Sequence, residues 1–256
     1  MKDLYQGAFP NIIICGPERS DKFEVLVVEI QNGYWGYECL GRAARENPGY
    51  RGYLYINDDM IVNWWNLVHL DRDRIWQGSR IKLGIEINQT LTAKDAWTWW
   101  RRTNGFEQCK LAIQDVKEYE EKRGTSQLIN NLRINGNGKL FCLHGWSDLF
   151  YIPGRLRETF ADVSNIFFKR KVFLEIAVPV MESLLCLRNE SVKLNGVYLP
   201  DTYGEINYGS SFVGWNEYNM DITFLHPFKL HGDNREINEN LLKNWVIKTG
   251  QGLTVC

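Results

Sequence analysis

The chain has 256 residues, enough for one large domain with a real core or for two small ones. Hydrophobic residues make up 44% and charged residues 24%, the balance of a soluble globular protein. The formal net charge of -1 lacks the basic excess of a general nucleic-acid binder, and no apolar stretch reaches the roughly 18 residues that a membrane span needs.

In chain order, Asn11 to Cys15 form a short apolar run closed by Gly16-Pro17, which predicts a buried strand. Residues 23–30 predict another. Residues 36–47 predict a helix with Cys39, Leu40, Ala43 and Ala44 on one face and Arg42, Arg45 and Glu46 toward the other; Pro48-Gly49 stops it. Residues 53–56 predict the next strand. Strand, loop, strand, helix, strand is the start of a parallel α/β sheet with crossovers, and ligands of open α/β sheets bind past the C-terminal ends of the strands.

Residues 107–123 predict an exposed amphipathic helix stopped by Gly124, with its charges as a solvated face. A short helix over 125–133 and a turn at Asn135-Gly136-Asn137-Gly138 follow. Residues 139–143 and 148–152 predict strands, and 155–168 and 172–187 predict helices, the second kinked or broken at Pro179. A Gly-, Tyr- and Asn-rich tail over 192–230 precedes a last helix at 236–247. No repeat, low-complexity segment or linker interrupts this order. The expectation is one domain over 1–256, with a nucleotide-binding half over about 1–105 and an acceptor-binding half over about 106–256.

Ten tryptophans are present, several of them clustered: Trp64, Trp65, Trp97, Trp99 and Trp100. Such clusters serve either as core or as flat faces that pack on the C–H side of a sugar ring. Cys15, Cys39, Cys109, Cys142, Cys186 and Cys256 are widely spaced without a CxxC, which disfavours a zinc ribbon and leaves buried thiols or one or two disulfides. Two Asn-x-Ser/Thr tripeptides begin at Asn88 and Asn189. Met1-Lys-Asp-Leu-Tyr lacks the charged-then-apolar pattern of a leader, which leaves a cytosolic chain or a domain separated from its anchor.

Three constellations carry chemistry. In "GYLYINDDMIVNWW", residues 52–65, Asp58 and Asp59 lie just past a strand. Adjacent carboxylates repel unless a cation lies between them, and Mg²⁺ or Mn²⁺ binds one or two carboxylates together with phosphate oxygens. The competing reading makes Asp59 the cap of a helix starting at Met60. In "DITFLHPFK", residues 221–229, a neutral His226 suits a Mn²⁺ shell and Lys229 suits phosphate; Pro227 holds His226 extended. The competing reading is a hydrogen-bonded strand histidine. In "LHGWSDLFYIP", residues 143–153, His144 and Asp148 flank Trp146. Asp148 is placed to bind sugar hydroxyls or act as a base, and Glu175, in the apolar run 172–179, must be paired, protonated or facing a cleft. A cap or an ion pair to Arg170 or Lys171 is the plainer account of Glu175. GxxxxGKS/T, GxGxxG, GxSxG and HExxH are all absent, which disfavours P-loop NTPases, dinucleotide enzymes, α/β-hydrolases and zincins.

The segment "YRGYLYINDDMIVNWWNL", residues 50–67, resembles STELLO-type glycosyltransferase proteins of the plant Golgi, which in turn resemble exostosin-type nucleotide-diphospho-sugar transferases. The lead-in over 11–49 and the "HPFK" at 226–229 agree more loosely. The resemblance implies an α/β fold of GT-A type, a Rossmann-like mixed sheet flanked by helices. It implies that Asp58 and Asp59 match the family's DxD-type metal motif, although Asn57 stands where a strict Asp-x-Asp has its first acid. It also implies a Golgi lumen or other secretory location and partner enzymes there. The expected activity is metal-dependent transfer of a sugar from a nucleoside-diphosphate sugar to a glycan or glycoprotein acceptor. Asp58, Asp59 and His226 would hold Mn²⁺ or Mg²⁺; Lys229, Arg42, Trp64 and Trp65 would contact the donor; Asp148 and Glu175 would act on the acceptor. The alternative is a non-catalytic glycan- or protein-binding scaffold on the same fold.

Overall fold

The computed structural model describes residues 2–92, 95, 97–199, 218–228, 230 and 235–247. The chain begins with α1 (Lys2–Tyr5), β1 (Ile14–Gly16), β2 (Val25–Val27), α2 (Gly36–Glu46), β3 (Gly52–Ile56) and β4 (Ile61–Val62). Next come β5 (Trp76–Gln77), β6 (Lys82–Glu86), α3 (Phe106–Arg123), α4 (Gln127–Asn135), β7 (Phe141–His144) and β8 (Leu149–Pro153). The last part holds α5 (Arg157–Lys169), α6 (Leu174–Leu185), β9 (Val192–Lys193), β10 (Gly196–Tyr198), β11 (Phe224–His226) and α7 (Arg235–Leu241).

This is a mixed α/β protein. Among the described residues the strands form four small sheets, ordered β1-β2, β6-β7, β3-β8-β5-β9 and β10-β11-β4. β1 and β2 run parallel, with Ile14 opposite Val25, as the lead-in predicts. They do not continue into β3, which pairs with β8. Ile13, Phe23 and Val27 are exposed, so these apolar runs are not the core strands that their composition suggests. The strands predicted at 139–143 and 148–152 are β7 and β8, which pair with other strands: β7 antiparallel with β6, and β8 antiparallel with β5.

The chain divides into two compact units. Unit one comprises Met1–Ile12, Ile56–Asp71 and Leu194–Cys256; unit two comprises Ile13–Tyr55 and Arg72–Lys193.

Unit two holds the larger core. On α3, Phe106, Cys109, Ile113, Val116 and Glu120 repeat at three- and four-residue steps and are all buried. Glu120 is thus not part of the solvated face. Its carboxylate accepts the Leu128 and Ile129 N–H groups at 2.7 and 2.9 Å, capping α4 from outside and satisfying donors that a helix start leaves open. Asn131 and Asn135 on α4 in turn donate to the carbonyls of Leu184, Ser183 and Cys186 at the end of α6. α6 is mostly apolar and buried along its length apart from Glu175, its buried stretch including Glu182 and Ser183. It runs unbroken through Pro179. The proline removes the N–H that Glu175 O would accept, and the Gly145 N–H takes its place at 3.0 Å. Disulfides join Cys15 to Cys39 and Cys109 to Cys142. Cys186 is a buried free thiol. Trp97, Trp99 and Trp100 pack inward, Trp99 stacking on Phe173 at 3.8 Å and Trp97 meeting Trp100 edge to face, so this cluster is core.

Unit one is built on β10-β11-β4. β10 and β11 are parallel, and β11 and β4 antiparallel with Leu225 opposite Ile61. Gly196 lies opposite Phe224, whose ring occupies the space that a side chain at 196 would need. Ile61, Leu199, Ile222, Leu225, Phe228 and Leu242 form the core. No described helix is long and apolar enough to cross a membrane.

Candidate functional site

The acidic pair follows β3 directly. Asn57, Asp58 and Asp59 form the turn from β3 into β4. No helix starts at Met60: Met60 is buried and Ile61–Val62 is a strand, so Asp59 is not a helix cap. The antiparallel register carries outward past Ile61 and Leu225, and the Phe228 N–H donates to Asp59 O at 2.6 Å. This register sets His226, the last residue of β11, beside Asp59. His226 Nε2 lies 3.3 Å from Asp59 Oδ1, and the two side chains keep only 18% and 15% of their exposure. The Tyr198 ring meets the imidazole edge to face at 5.5 Å.

Asp58 is exposed and stands apart from this pair. Among the described residues no three or more of His, Cys, Asp and Glu converge closely enough to hold a metal ion. The expected trio of Asp58, Asp59 and His226 is therefore a pair plus a neighbour. One carboxylate oxygen and one imidazole nitrogen fit a Mn²⁺ or Mg²⁺ ion that brings further oxygen ligands with it, as a diphosphate complex does, and do not fit a metal held by protein alone. Lys229 lies outside the described residues.

The Asn/Trp stretch after the acids has a different task. Asn63 is fully buried. Its Nδ2 donates to the carbonyls of Asn219 and Ile222 at 3.1 and 2.9 Å, and its Oδ1 accepts from the Tyr218 hydroxyl at 2.8 Å. Asn66 Nδ2 donates to the carbonyls of Met220 and Ile222, and Trp65 Nε1 to that of Met220. Residues 63–66 therefore staple down the segment that leads into β11 and His226. Trp64 and Trp65, expected to contact the donor, are partly buried and meet edge to face at 5.8 Å; the Trp65 N–H is committed to this staple. Sequence reasoning missed Asn63. The available signal was an amide between Val62 and Trp64, where burial demands partners.

In unit two, Asp148 precedes β8 and is buried, and Glu175 sits in the first turn of α6. Burial raises the Glu175 carboxyl to about 8, with the negative charge of Asp148 adding to the shift. Glu175 is thus protonated at neutral pH. The alternative ion pairs do not form, because Arg170 pairs with Asp115 and Lys171 with Glu29. Glu182, two turns along α6, is also held well above the usual carboxyl range by burial. It lines a small cavity with Ser79, Trp146, Ser147 and Pro179. Trp146 itself is half exposed. His144 is lowered by burial and by Lys82, and lies against Trp97 and Trp100. Arg42 donates to Val27 O at 2.8 Å and pairs with Glu46 at 3.4 Å.

No family model matches the chain, and no solved structure matches it. Two curated relatives are the probable glycosyltransferases STELLO1 and STELLO2 of Arabidopsis thaliana. Identity is 20% over 177 residues with the first and 20% over 179 with the second, in each case 69% of this chain and 21% of the relative. The chain thus matches about a fifth of the length of these relatives. It is distantly related to the STELLO-type probable glycosyltransferases.

Proposed function

We propose that this chain handles a nucleoside-diphosphate sugar as part of a metal-dependent glycosyltransferase of GT-A type, passing the sugar to a glycan or glycoprotein acceptor. One observation carries the reading: the β4–β11 register brings Asp59 and His226 together just past the end of β3. The distant similarity to probable glycosyltransferases supports it. When bound, a Mn²⁺ or Mg²⁺ ion would neutralise charge that gathers on the diphosphate as the glycosidic bond breaks. Asp59 and His226 would hold that ion. The Asn63 staple fixes the strand that carries His226, and Tyr198 walls the imidazole. In unit two, taken by itself, the protonated Glu175 is a candidate to donate a hydrogen bond to a sugar hydroxyl and the buried Asp148 a candidate to accept one. The reading includes a Golgi or other secretory lumen, which the two disulfides support.

The test is calorimetric titration with UDP and a small panel of UDP- and GDP-sugars, with Mn²⁺ and with EDTA. Asp59→Asn and His226→Ala are each expected to abolish metal-dependent binding, and Asp58→Asn to weaken it less. Donor affinity unchanged in Asp59→Asn would remove the reading.

A further inference from the structure

Two asparagines of unit two lie exposed on anchored turns. Asn88 lies in the turn after β6, and Asn189 in the single 3-10 turn Arg188–Glu190 before β9. Both are exposed, as are the residues flanking Asn88 on its C-terminal side and Asn189 on either side. Several other asparagine amides are spent on structure: Asn47, Asn63, Asn66, Asn131, Asn135 and Asn195 donate to backbone carbonyls. The side-chain amides of Asn88 and Asn189 donate to no described residue. Their backbones are nonetheless fixed. The Gln89 N–H closes on Glu86 O at 2.9 Å, and Arg74 donates to the carbonyls of Asn189, Glu190 and Ser191. Each is thus an exposed amide, unbonded among the described residues, on an anchored turn.

Both also begin an Asn-x-Ser/Thr tripeptide, Asn88-Gln89-Thr90 and Asn189-Glu190-Ser191, and the sequence holds no third. The same unit contains two disulfides, which form and persist in the oxidising compartments where asparagine-linked oligosaccharide is added. Sequon, exposure, an amide unbonded among the described residues and redox chemistry coincide at these two positions. We propose that Asn88 and Asn189 carry N-linked glycans. In the step, Nδ2 forms a bond to the anomeric carbon of an oligosaccharide carried on a lipid diphosphate. The bond from that carbon to the diphosphate oxygen breaks, the lipid diphosphate leaves with the electron pair, and the amide proton passes to a base of the host transferase. A glycan at either site projects into solvent and displaces no packed side chain. The proposal shares the secretory location with the functional reading and is independent of catalysis.

The experiment isolates the protein, tagged in its own gene, from its native cells. Peptides are mapped with and without reduction, and after glycosidase release in heavy-oxygen water, which turns a glycosylated asparagine into a labelled aspartate. The expected result is label at both positions and the two cystine peptides, with Asn88→Gln and Asn189→Gln each losing one glycan's mass while the urea midpoint stays unchanged. Intact disulfides with unlabelled asparagines overturn the proposal and leave the secretory location standing. Label at one position alone overturns it for the other. Reduced cysteines with bare asparagines overturn both.

Discussion

Asn63→Ala should unfasten the strand that carries His226 without touching either proposed cation ligand. The substitution removes three hydrogen bonds made by a fully buried side chain, to Asn219 O, Ile222 O and the Tyr218 hydroxyl. At about 1 kcal/mol net for each, the loss is about 3 kcal/mol. Ile222 O keeps its bond from Asn66 and the Asn63 N–H keeps Thr223 O, so the staple loosens rather than vanishes. Asn63→Asp should cost more. A buried carboxylate cannot donate to those two carbonyls and carries a charge that burial penalises. Urea unfolding measures both variants, and native-state hydrogen exchange at Leu225 and Phe228 reports whether the loss is local to unit one. Under the functional reading, metal-dependent donor affinity falls along with this protection. A loss below about 1 kcal/mol for Asn63→Ala would show that water replaces the amide at little cost and would refute the staple.

Burial and Asp148 raise Glu175 from its ordinary 4.5 to about 8. Between those values the unfolded chain has lost the proton that the folded chain keeps, so stability falls as pH rises through the window and levels off above it. Glu175→Gln should remove this share, on the order of 5 kcal/mol across the window, giving a flatter stability–pH curve; an unchanged slope would mean that Glu175 is solvated. Replacing Cys109 and Cys142 with Ser releases a loop with a sequence separation of 33 and should cost about 3–4 kcal/mol in the chain-entropy treatment, read as a lower urea midpoint under non-reducing conditions. Gly196→Val drives a side chain into the Phe224 ring and should destabilise unit one by about 2–3 kcal/mol, whereas Gly7→Ala, in open space, should change stability far less by the same assay.

The sequence by itself determined the local elements whose signals are local. α2 and α3 were legible from apolar periodicity and from their stops at Pro48-Gly49 and at Gly124, which takes the left-handed conformation that caps α3. β3 was legible from alternation, and its end located the acidic turn. Tertiary structure decided what depends on partners distant in sequence. It determined that β3 pairs with β8, that α6 runs through Pro179 because Gly145 supplies the missing donor, and that the acid of the motif which meets His226 is Asp59 and not Asp58. It also committed Trp65, expected to contact the donor, together with the unassigned Asn63 and Asn66, to a staple for residues 218–222. Composition gives the chemical capacity of a carboxylate, an imidazole or an amide; which partner satisfies it depends on long-range register, and that emerges only when the strands pair.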